Sequence, residues 1–190
     1  MDDSELRANL EQYHSESYGW ALNCCAHNRT EAEGVLQAVY LKVLAGKARF
    51  DGKAAFRTWL FAVIRRTAID ERRRQWLRGF GLLKYVERAE RAASVARPDE
   101  AVYRSELQTL LRRALTRLPQ RQREVLQLVF YHELSLAEAA EVLGVSLGTA
   151  RTHYERGKKQ LRQSLKKEKV NDEPVRSANQ RTVSTTEAGR

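Results

Sequence analysis

Between residues 133 and 165 the apolar positions repeat with the period of an α-helix and are interrupted once by a glycine. The first run has apolar residues at i, i+3, i+4 and i+7, namely Leu136, Ala139, Ala140 and Leu143. Ser135 precedes this run and Glu138 follows three residues later, which predicts a capping box. Gly144 suits the left-handed backbone that ends a helix, and Ser146 can cap the next one. The inner stripe of that second helix is Leu147, Ala150, Tyr154, Leu161 and Leu165.

The outer face of the second predicted helix is polar and mostly basic. Its members are Arg151, Thr152, His153, Glu155, Arg156, Lys158 and Lys159. A short helix, a glycine turn and a basic second helix form a helix-turn-helix, in which the second helix enters the DNA major groove. The alternative is a two-helix packing unit with an ordinary solvated charged face. The two caps and the basic bias favour DNA binding.

The rest of the pattern predicts an all-α chain of two small helical domains joined by a flexible linker. The domains cover residues 13–76 and 106–165, the linker covers 77–105, and 1–12 is a frayed lead-in. Helices are expected over 13–25, over 31–45 with Thr30 as cap and Gly46 as stop, and over 55–74. From 166 to 190 large apolar side chains are almost absent, so we expect a disordered tail.

Composition narrows the function. The net charge of +10 and pI of about 9.9 favour a polyanionic partner, although acidic membranes or proteins would satisfy the charge equally. No apolar run approaches the ~20 residues that span a bilayer, and no signal peptide is visible, so we expect a cytoplasmic protein without membrane insertion. Cys24 and Cys25 are adjacent and unsuited to a disulfide. Scattered histidines and the lack of ligand spacing predict no catalytic residues, no metal and no cofactor, hence no enzyme.

The predicted helix over 55–74 combines aromatic and basic residues. Phe56 and Trp59 lie on one face, and arginines crowd the other. Such a helix suits phosphate contacts with base stacking, as in single-strand binding channels. Core aromatics beneath a solvated cationic face explain the same residues equally well, and the residues alone leave both interpretations open.

Two segments resemble bacterial RNA polymerase sigma factors of the sigma-70 family, in the short two-domain extracytoplasmic-function (ECF) group. They are FRTWLFAVIRRTAIDERRR, from Phe56, and LPQRQREVLQLVFYHELSLAEAAEVLGVSLGTARTHYERGKKQLR, from Leu118. The second segment alone also resembles helix-turn-helix domains of other regulators, and the first, at this spacing, makes the resemblance specific. It implies sigma region 2-like and region 4-like domains in a transcription initiation factor that binds core RNA polymerase and directs promoter recognition and DNA melting.

The resemblance also implies where each partner binds. Residues matching the helix that docks on the clamp of the polymerase largest subunit are Glu33, Gln37, Tyr40 and Leu41. Residues matching the minus-ten DNA surface are Phe50, Asp51, Lys53, Arg65, Arg66, Asp70, Arg73 and Arg74. Residues matching the minus-thirty-five surface are Arg151, Thr152, Glu155, Arg156 and Lys158. Glu155 either accepts a hydrogen bond from a cytosine or pairs with Lys158 or Lys159 along the helix.

Two other functions remain open at this stage. Gly34 and Ala38 occupy positions that are usually acidic in the family. A helix-turn-helix regulator that acts without core polymerase is therefore one alternative, and a sigma-like module that titrates an anti-sigma factor is another. The expected partners of the main hypothesis are promoter DNA, core polymerase (the clamp of the largest subunit and the flap of the second) and an anti-sigma factor.

Overall fold

The computed structural model describes the backbone of residues 2–82 and 110–183 and the side chains of residues 2–77 and 110–166. Every regular element in these ranges is an α-helix. The helices are α1 (Asp3–Gln12), α2 (His14–Cys24), α3 (Arg29–Leu44), α4 (Phe56–Leu82), α5 (described over 110–116), α6 (Gln120–Phe130), α7 (Leu136–Leu143) and α8 (Leu147–Val183). The all-helical prediction is confirmed.

The first residues form a helix rather than the frayed lead-in that their polarity predicts. The side chain of Asp2 accepts a hydrogen bond from the backbone N–H of Glu5 at 2.7 Å, which caps α1. Leu10 is buried against the core. Leu6 is partly buried and packs against the same core, and α1 contacts α2 and α3, so packing and the cap together stabilise a short polar helix.

The helix α3 begins two residues earlier than expected and is capped by Asn28, not Thr30. Asn28 has an extended backbone, and its side chain accepts from the N–H of Glu31 at 3.2 Å. Ala26 and His27 turn the chain between α2 and α3 with φ of 51° and 65°. This tight turn places Asn28 at the cap position. Gly46, with φ of 66°, follows the end of α3 as predicted.

The helix α4 continues to Leu82, eight residues beyond its predicted end at residue 74. The additional segment includes Gln75, Trp76, Leu77 and Arg78, none of which stops a helix. The beginning of the predicted linker, residues 77–82, is therefore helical. The remainder of the linker lies within 83–109, outside the described residues.

The helix-turn-helix has the caps that the sequence predicts. Ser135 and Glu138 bond reciprocally, with the Ser135 N–H donating to Glu138 Oε2 at 2.8 Å. Gly144 is left-handed (φ 64°, ψ 42°), and Ser146 Oγ accepts from the N–H of Thr149 at 3.2 Å. The helix α8 runs on to Val183, so residues 166–183 are helical where composition predicts disorder. Extending an existing helix requires no new nucleus, which favours continuation.

One apolar core joins the helices on both sides of the linker. The helices α2, α3 and α4 pack mutually, as do α6, α7 and α8, and α7 also packs on α4. Trp20 on α2 is fully buried and donates from Nε1 to the carbonyl oxygen of Phe61 at 3.0 Å. The second-domain residues in the same core include Val125, Leu128, Leu134, Ala139, Val142 and Leu143. The α4–α7 contact therefore fixes the first domain against the helix-turn-helix.

Candidate nucleic-acid and partner interfaces

A groove between α2 and α3 brings together all four residues predicted to bind the polymerase. The groove has a volume of about 520 Å³ and is lined by His14, Tyr18, Glu33, Leu36, Gln37, Tyr40, Leu41 and Leu44. Leu41 is 63% exposed and Leu44 is 46% exposed, so two exposed apolar side chains, three residues apart on α3, border the groove. His14 Nδ1 lies 3.0 Å from the Tyr40 hydroxyl and ties α2 to α3 at the groove. We call this surface the α2–α3 groove.

Gly34 lies outside the α2–α3 groove. It lines a separate cleft between α3 and α4, beside Glu71 and Arg72, and the space where its Cβ would stand is open. The absence of a carboxylate at residue 34 therefore leaves the lining of the α2–α3 groove unchanged. Ala38 is half-buried.

The loop between α3 and α4 is anchored through an aromatic cluster. The ring of Phe50 lies 5.4 Å from those of both Phe56 and Trp59, and Tyr13 stacks on Phe56 at 6.1 Å. Asp51 and Lys53 are exposed and form an ion pair of 3.0 Å. Hydrogen bonds from Lys53 hold the pKa of Asp51 below its usual value. The cluster fixes Phe50, while Asp51 and Lys53 face solvent.

Four of the predicted minus-ten residues lie together on one face of α4. Arg66, Asp70, Arg73 and Arg74 are spaced i, i+4, i+7 and i+8 and form what we call the α4 basic face. Arg66, Arg73 and Arg74 are exposed, and Arg74 pairs with Glu71 at 2.7 Å. The face is thus open to a phosphate backbone.

Arg65, the fifth predicted minus-ten residue on α4, points elsewhere. Its side chain is buried, with Nε 3.3 Å from Oε2 of Glu124 on α6. Its Nη1 donates to the carbonyl oxygen of Leu143, at the end of α7, at 3.4 Å. The structure therefore separates Arg65 from the α4 basic face and places it between the two domains.

The predicted minus-thirty-five residues share the outer surface of α8, which we call the recognition face. Arg151, Thr152, Glu155 and Arg156 are exposed. Glu155 Oε1 lies 2.9 Å from Lys158 Nζ, so the intrahelical pair considered from the sequence is present. That same Lys158 ammonium lies 4.3 Å from the centroid of the Tyr154 ring. Three cationic side chains thus stand on a single exposed helical face.

A second apolar groove lies on the other side of the helix-turn-helix. It has a volume of about 540 Å³ and is lined by His27, Leu111, Arg112, Leu115, Thr116, Arg123, Leu126, Gln127, Phe130, Tyr131 and Leu161. Phe130 is 62% exposed and Tyr131 is 71% exposed. Burial, with smaller effects of Arg112 and Arg123, lowers the pKa of His27. We call this surface the α5–α6–α8 groove.

Comparison with known proteins gives matches on both domains. Residues 10–78 match the family described as Sigma-70 region 2, and residues 108–161 match Sigma-70, region 4. The chain is 30% identical over 171 residues to the ECF RNA polymerase sigma factor SigX of Bacillus subtilis, covering 87% of each chain. It belongs to the sigma-70 family, in the ECF group. It is a sigma factor for transcription initiation by RNA polymerase, and such factors are not enzymes.

A further relative belongs to the same group, and two solved structures share the fold. The ECF sigma factor SigW of Bacillus subtilis is 29% identical over 148 residues, covering 73% of this sigma factor and 78% of SigW. In fold, the sigma factor RpoE of Bartonella quintana, solved with the anti-sigma factor NepR, gives a TM-score of 0.65 at 21% identity, covering 85% of this chain and 97% of RpoE. CnrH, solved with the cytosolic domain of CnrY, gives 0.59 at 22% identity, covering 87% and 90%.

Two buried residues of this sigma factor had no signal in the sequence. Glu124 is 1% exposed and His132 is 2% exposed. Their partners on α2 and α4 are more than fifty residues away in the chain. Periodicity within one element reports which face is apolar, but it does not report which distant polar group that face meets.

The cysteines are structural. Cys24 and Cys25 are both free and buried. Burial raises the pKa of Cys24 well above its usual value, and burial together with Glu31 raises the pKa of Cys25 to about 11. Such thiols are poor nucleophiles near neutral pH. Among the described residues no group of His, Cys, Asp or Glu is placed to hold a metal ion, and no described helix is long and apolar enough to cross a membrane.

Proposed function

We propose that this sigma factor docks on the clamp of the polymerase largest subunit through the α2–α3 groove. The observation that carries the proposal is that Glu33, Gln37, Tyr40 and Leu41 share one open groove bordered by two exposed leucines. Exposed apolar side chains beside polar ones suit a binding surface with an apolar centre and a polar rim. The open space at Gly34 lies at a different cleft, so its missing carboxylate does not weaken this assignment.

The minus-ten element is the proposed ligand of the loop after α3 and of the α4 basic face. Unstacking a base costs a few kcal/mol, which contacts in a pocket and phosphate neutralisation offset. The loop supplies Asp51 and Lys53 at the surface, and the ring of Phe50 packs against Trp59. Arg66, Arg73 and Arg74 supply the cationic track for the displaced strand. Melting therefore uses the first domain.

The minus-thirty-five element is the proposed ligand of the recognition face on α8. Arg151 and Arg156 are exposed on the N-terminal part of the second helix of the helix-turn-helix, which is the part that contacts base edges in this motif. Because the Glu155 carboxylate pairs with Lys158, we assign Glu155 a charge-balancing role rather than a base contact. Because the two DNA-binding domains are joined in one chain, binding of one domain raises the effective concentration of the other at its own promoter element.

We propose two further partners. The α5–α6–α8 groove, with the exposed rings of Phe130 and Tyr131, is the proposed site for the flap of the second polymerase subunit. An anti-sigma factor is a proposed regulator, supported by the complex of RpoE with the anti-sigma factor NepR. We place the protein in the cytoplasm, where the polymerase works.

In vitro transcription tests the proposal. Purified protein and core polymerase are incubated with a genomic promoter library, and transcript starts are mapped with and without the protein. We expect discrete starts that share two upstream elements. Transcripts that depend on neither element would contradict the assignment of the two DNA surfaces. Specific DNA binding by the protein alone, without transcripts, would favour a regulator that acts without polymerase.

A further inference from the structure

One leucine that the apolar pattern assigns to the inner stripe of α8 is exposed instead. Leu147 is the first residue of α8, and its spacing from Ala150 and Tyr154 predicts that all three face the core. Ala150 is fully buried as expected, whereas Leu147 is 45% exposed. Periodicity identifies the side of a helix, but it does not report how far along that side the neighbouring helices reach. An apolar side chain therefore lies at the surface where α8 begins.

The hydroxyl groups at this end of α8 are engaged within the protein. Ser146 Oγ and Thr149 Oγ1 lie 2.9 Å apart and share a hydrogen bond. Thr152 Oγ1 donates to the carbonyl oxygen of Gly148 at 2.9 Å. Because a hydroxyl group has a single proton, Thr152 has no second proton to donate to a base. The exposed side chains that begin the recognition face thus include engaged hydroxyl groups and one free apolar group, that of Leu147.

Leu147 lies on the same side of α8 as Arg151. The two residues are four positions apart, so one stands above the other, and both are exposed. The Cα–Cβ bonds of a helix tilt towards its N-terminus, which is the end that contacts base edges in a helix-turn-helix. Gly148 follows Leu147 and has no side chain, so the backbone beside Leu147 can approach a base edge closely.

Thymine offers the chemical group that suits an exposed leucine in the major groove. It presents a 5-methyl group there beside the O4 acceptor, whereas the other three bases present hydrogen-bonding groups. Contact between a leucine side chain and this methyl group removes apolar surface from water on both partners. Contact with a phosphate or an amino group would bring no such gain. The position and chemistry of Leu147 therefore select thymine.

We propose that Leu147 contacts the 5-methyl group of a thymine in the minus-thirty-five element and contributes to the choice of that base. The proposal rests on the proposed function, because it requires α8 to lie in the major groove at this element. Burial of one methyl group changes an affinity about fourfold. Leu147 thus supplies sequence preference, in addition to the hydrogen bonds and phosphate contacts of the basic side chains on the recognition face.

Exchange of thymine for deoxyuridine tests this contact, because it removes the 5-methyl group and leaves the hydrogen-bonding edge unchanged. A promoter recovered by transcript mapping is synthesised with deoxyuridine at each thymine of the minus-thirty-five element in turn, on both strands. The affinity of the holoenzyme for each duplex is measured by competition at one fixed salt concentration. We expect the affinity to fall about fourfold for deoxyuridine in at least one position.

The variant Leu147→Ala assigns the methyl effect to one side chain. It should bind the thymine promoter about fourfold more weakly than wild type, and it should bind the thymine and deoxyuridine promoters equally. Its melting temperature should stay within a few degrees of wild type, because Leu147 is exposed and alanine favours a helix. Leu77→Ala, at a 54% exposed leucine on α4, is the matched control and should keep the full methyl effect.

Scrambling the whole minus-thirty-five element in the same assay separates the proposal from the proposed function. If scrambling weakens binding but no deoxyuridine does, or if the element contains no thymine, the Leu147 assignment is wrong while the proposed function stands. An equal methyl effect in wild type and Leu147→Ala would also overturn the assignment. If scrambling has no effect, or if no promoter is recovered, the proposed function fails and the Leu147 contact fails with it.

Discussion

The imidazole of His132 lies edge-on to the indole of Trp20, with ring centroids 5.9 Å apart and an interplanar angle of 86°. The two residues belong to different domains, and both are buried. The contact links the loop between α6 and α7 to the centre of the first domain. It makes the packing of the two domains sensitive to the protonation state of one side chain.

The free energy of unfolding should decrease as the pH is lowered, because His132 becomes protonated. Burial, with a smaller effect of Arg57 on α4, lowers the folded-state pKa of His132 to about 4 from 6.5. Arg57 is itself paired with Glu16 on α2 at 3.2 Å. The folded state disfavours protonation of His132. The contribution of the neutral ring to the free energy of unfolding is therefore complete above pH 6.5. It is lost as the pH falls towards 4, and the loss is about 3 kcal/mol in all.

Urea unfolding between pH 4 and pH 8 measures this dependence. The variant His132→Gln should give a flatter profile between pH 6.5 and 4, because glutamine does not titrate in this range. An unchanged slope in His132→Gln would show that other groups govern the acid limb. Carboxylates with a lowered pKa, such as Glu138, also lose their stabilising effect when they are protonated, but this occurs only below about pH 4.5.

Two helical glycines should respond oppositely to alanine. At Gly34 the Cβ position is open, so Gly34→Ala should raise the unfolding free energy by about 0.5–1 kcal/mol through helix propensity. At Gly157 an added Cβ would lie 3.0 Å from Leu126 Cδ1 and 3.3 Å from Gln122 Cβ, where α8 crosses α6. Gly157→Ala should therefore gain nothing or lose stability. Thermal unfolding of both variants tests this prediction. An equal increase in stability for both substitutions would contradict close packing of α8 on α6 at Gly157.

Removing an exposed leucine from the α2–α3 groove should weaken polymerase binding without weakening the fold. Leu41 is 63% exposed, so Leu41→Ala should leave the melting temperature within a few degrees of wild type. Its affinity for core polymerase should fall about tenfold, because the side chain would be buried in the complex. Leu77→Ala, at a 54% exposed leucine on α4, is the matched control. Equal loss in both variants, measured by fluorescence titration, would count against the groove.

Neutralising Glu155 should strengthen DNA binding without altering base preference. The Glu155 carboxylate pairs with Lys158 at 2.9 Å, so Glu155→Gln releases one cation for phosphate. We expect affinity for all minus-thirty-five sequences to rise about two- to fivefold in a holoenzyme binding assay. A change confined to sites with one particular base at one position would show instead that Glu155 reads that base.

The helix-turn-helix was predictable because its signals are local. The capping box of Ser135 and Glu138, the left-handed Gly144 and the cap at Ser146 each depend on residues within a few positions of one another. The same holds for the order of helices in the first domain. Local chemistry is sufficient where one element supplies all the partners.

The interface between the domains was not predictable from the pattern. In the sequence, Arg65 is one of several arginines on a basic helix, and Glu124 is a polar residue next to an apolar stripe. Neither pattern indicates a buried ion pair. Their pairing spans 59 positions and depends on how α4 and α7 pack. The cap at Asn28 was missed for a smaller reason, since Thr30 satisfies the same residue preference two positions later.

Footprinting one promoter complex tests most directly whether the two domains read a bipartite promoter. On a promoter recovered from the library, protection at the minus-thirty-five element and permanganate reactivity of minus-ten thymines are measured in the same sample. We expect both signals with core polymerase and neither with the protein alone. Minus-thirty-five protection by the free protein, with no reactive thymines when polymerase is added, would contradict the assignment of recognition and melting to one holoenzyme.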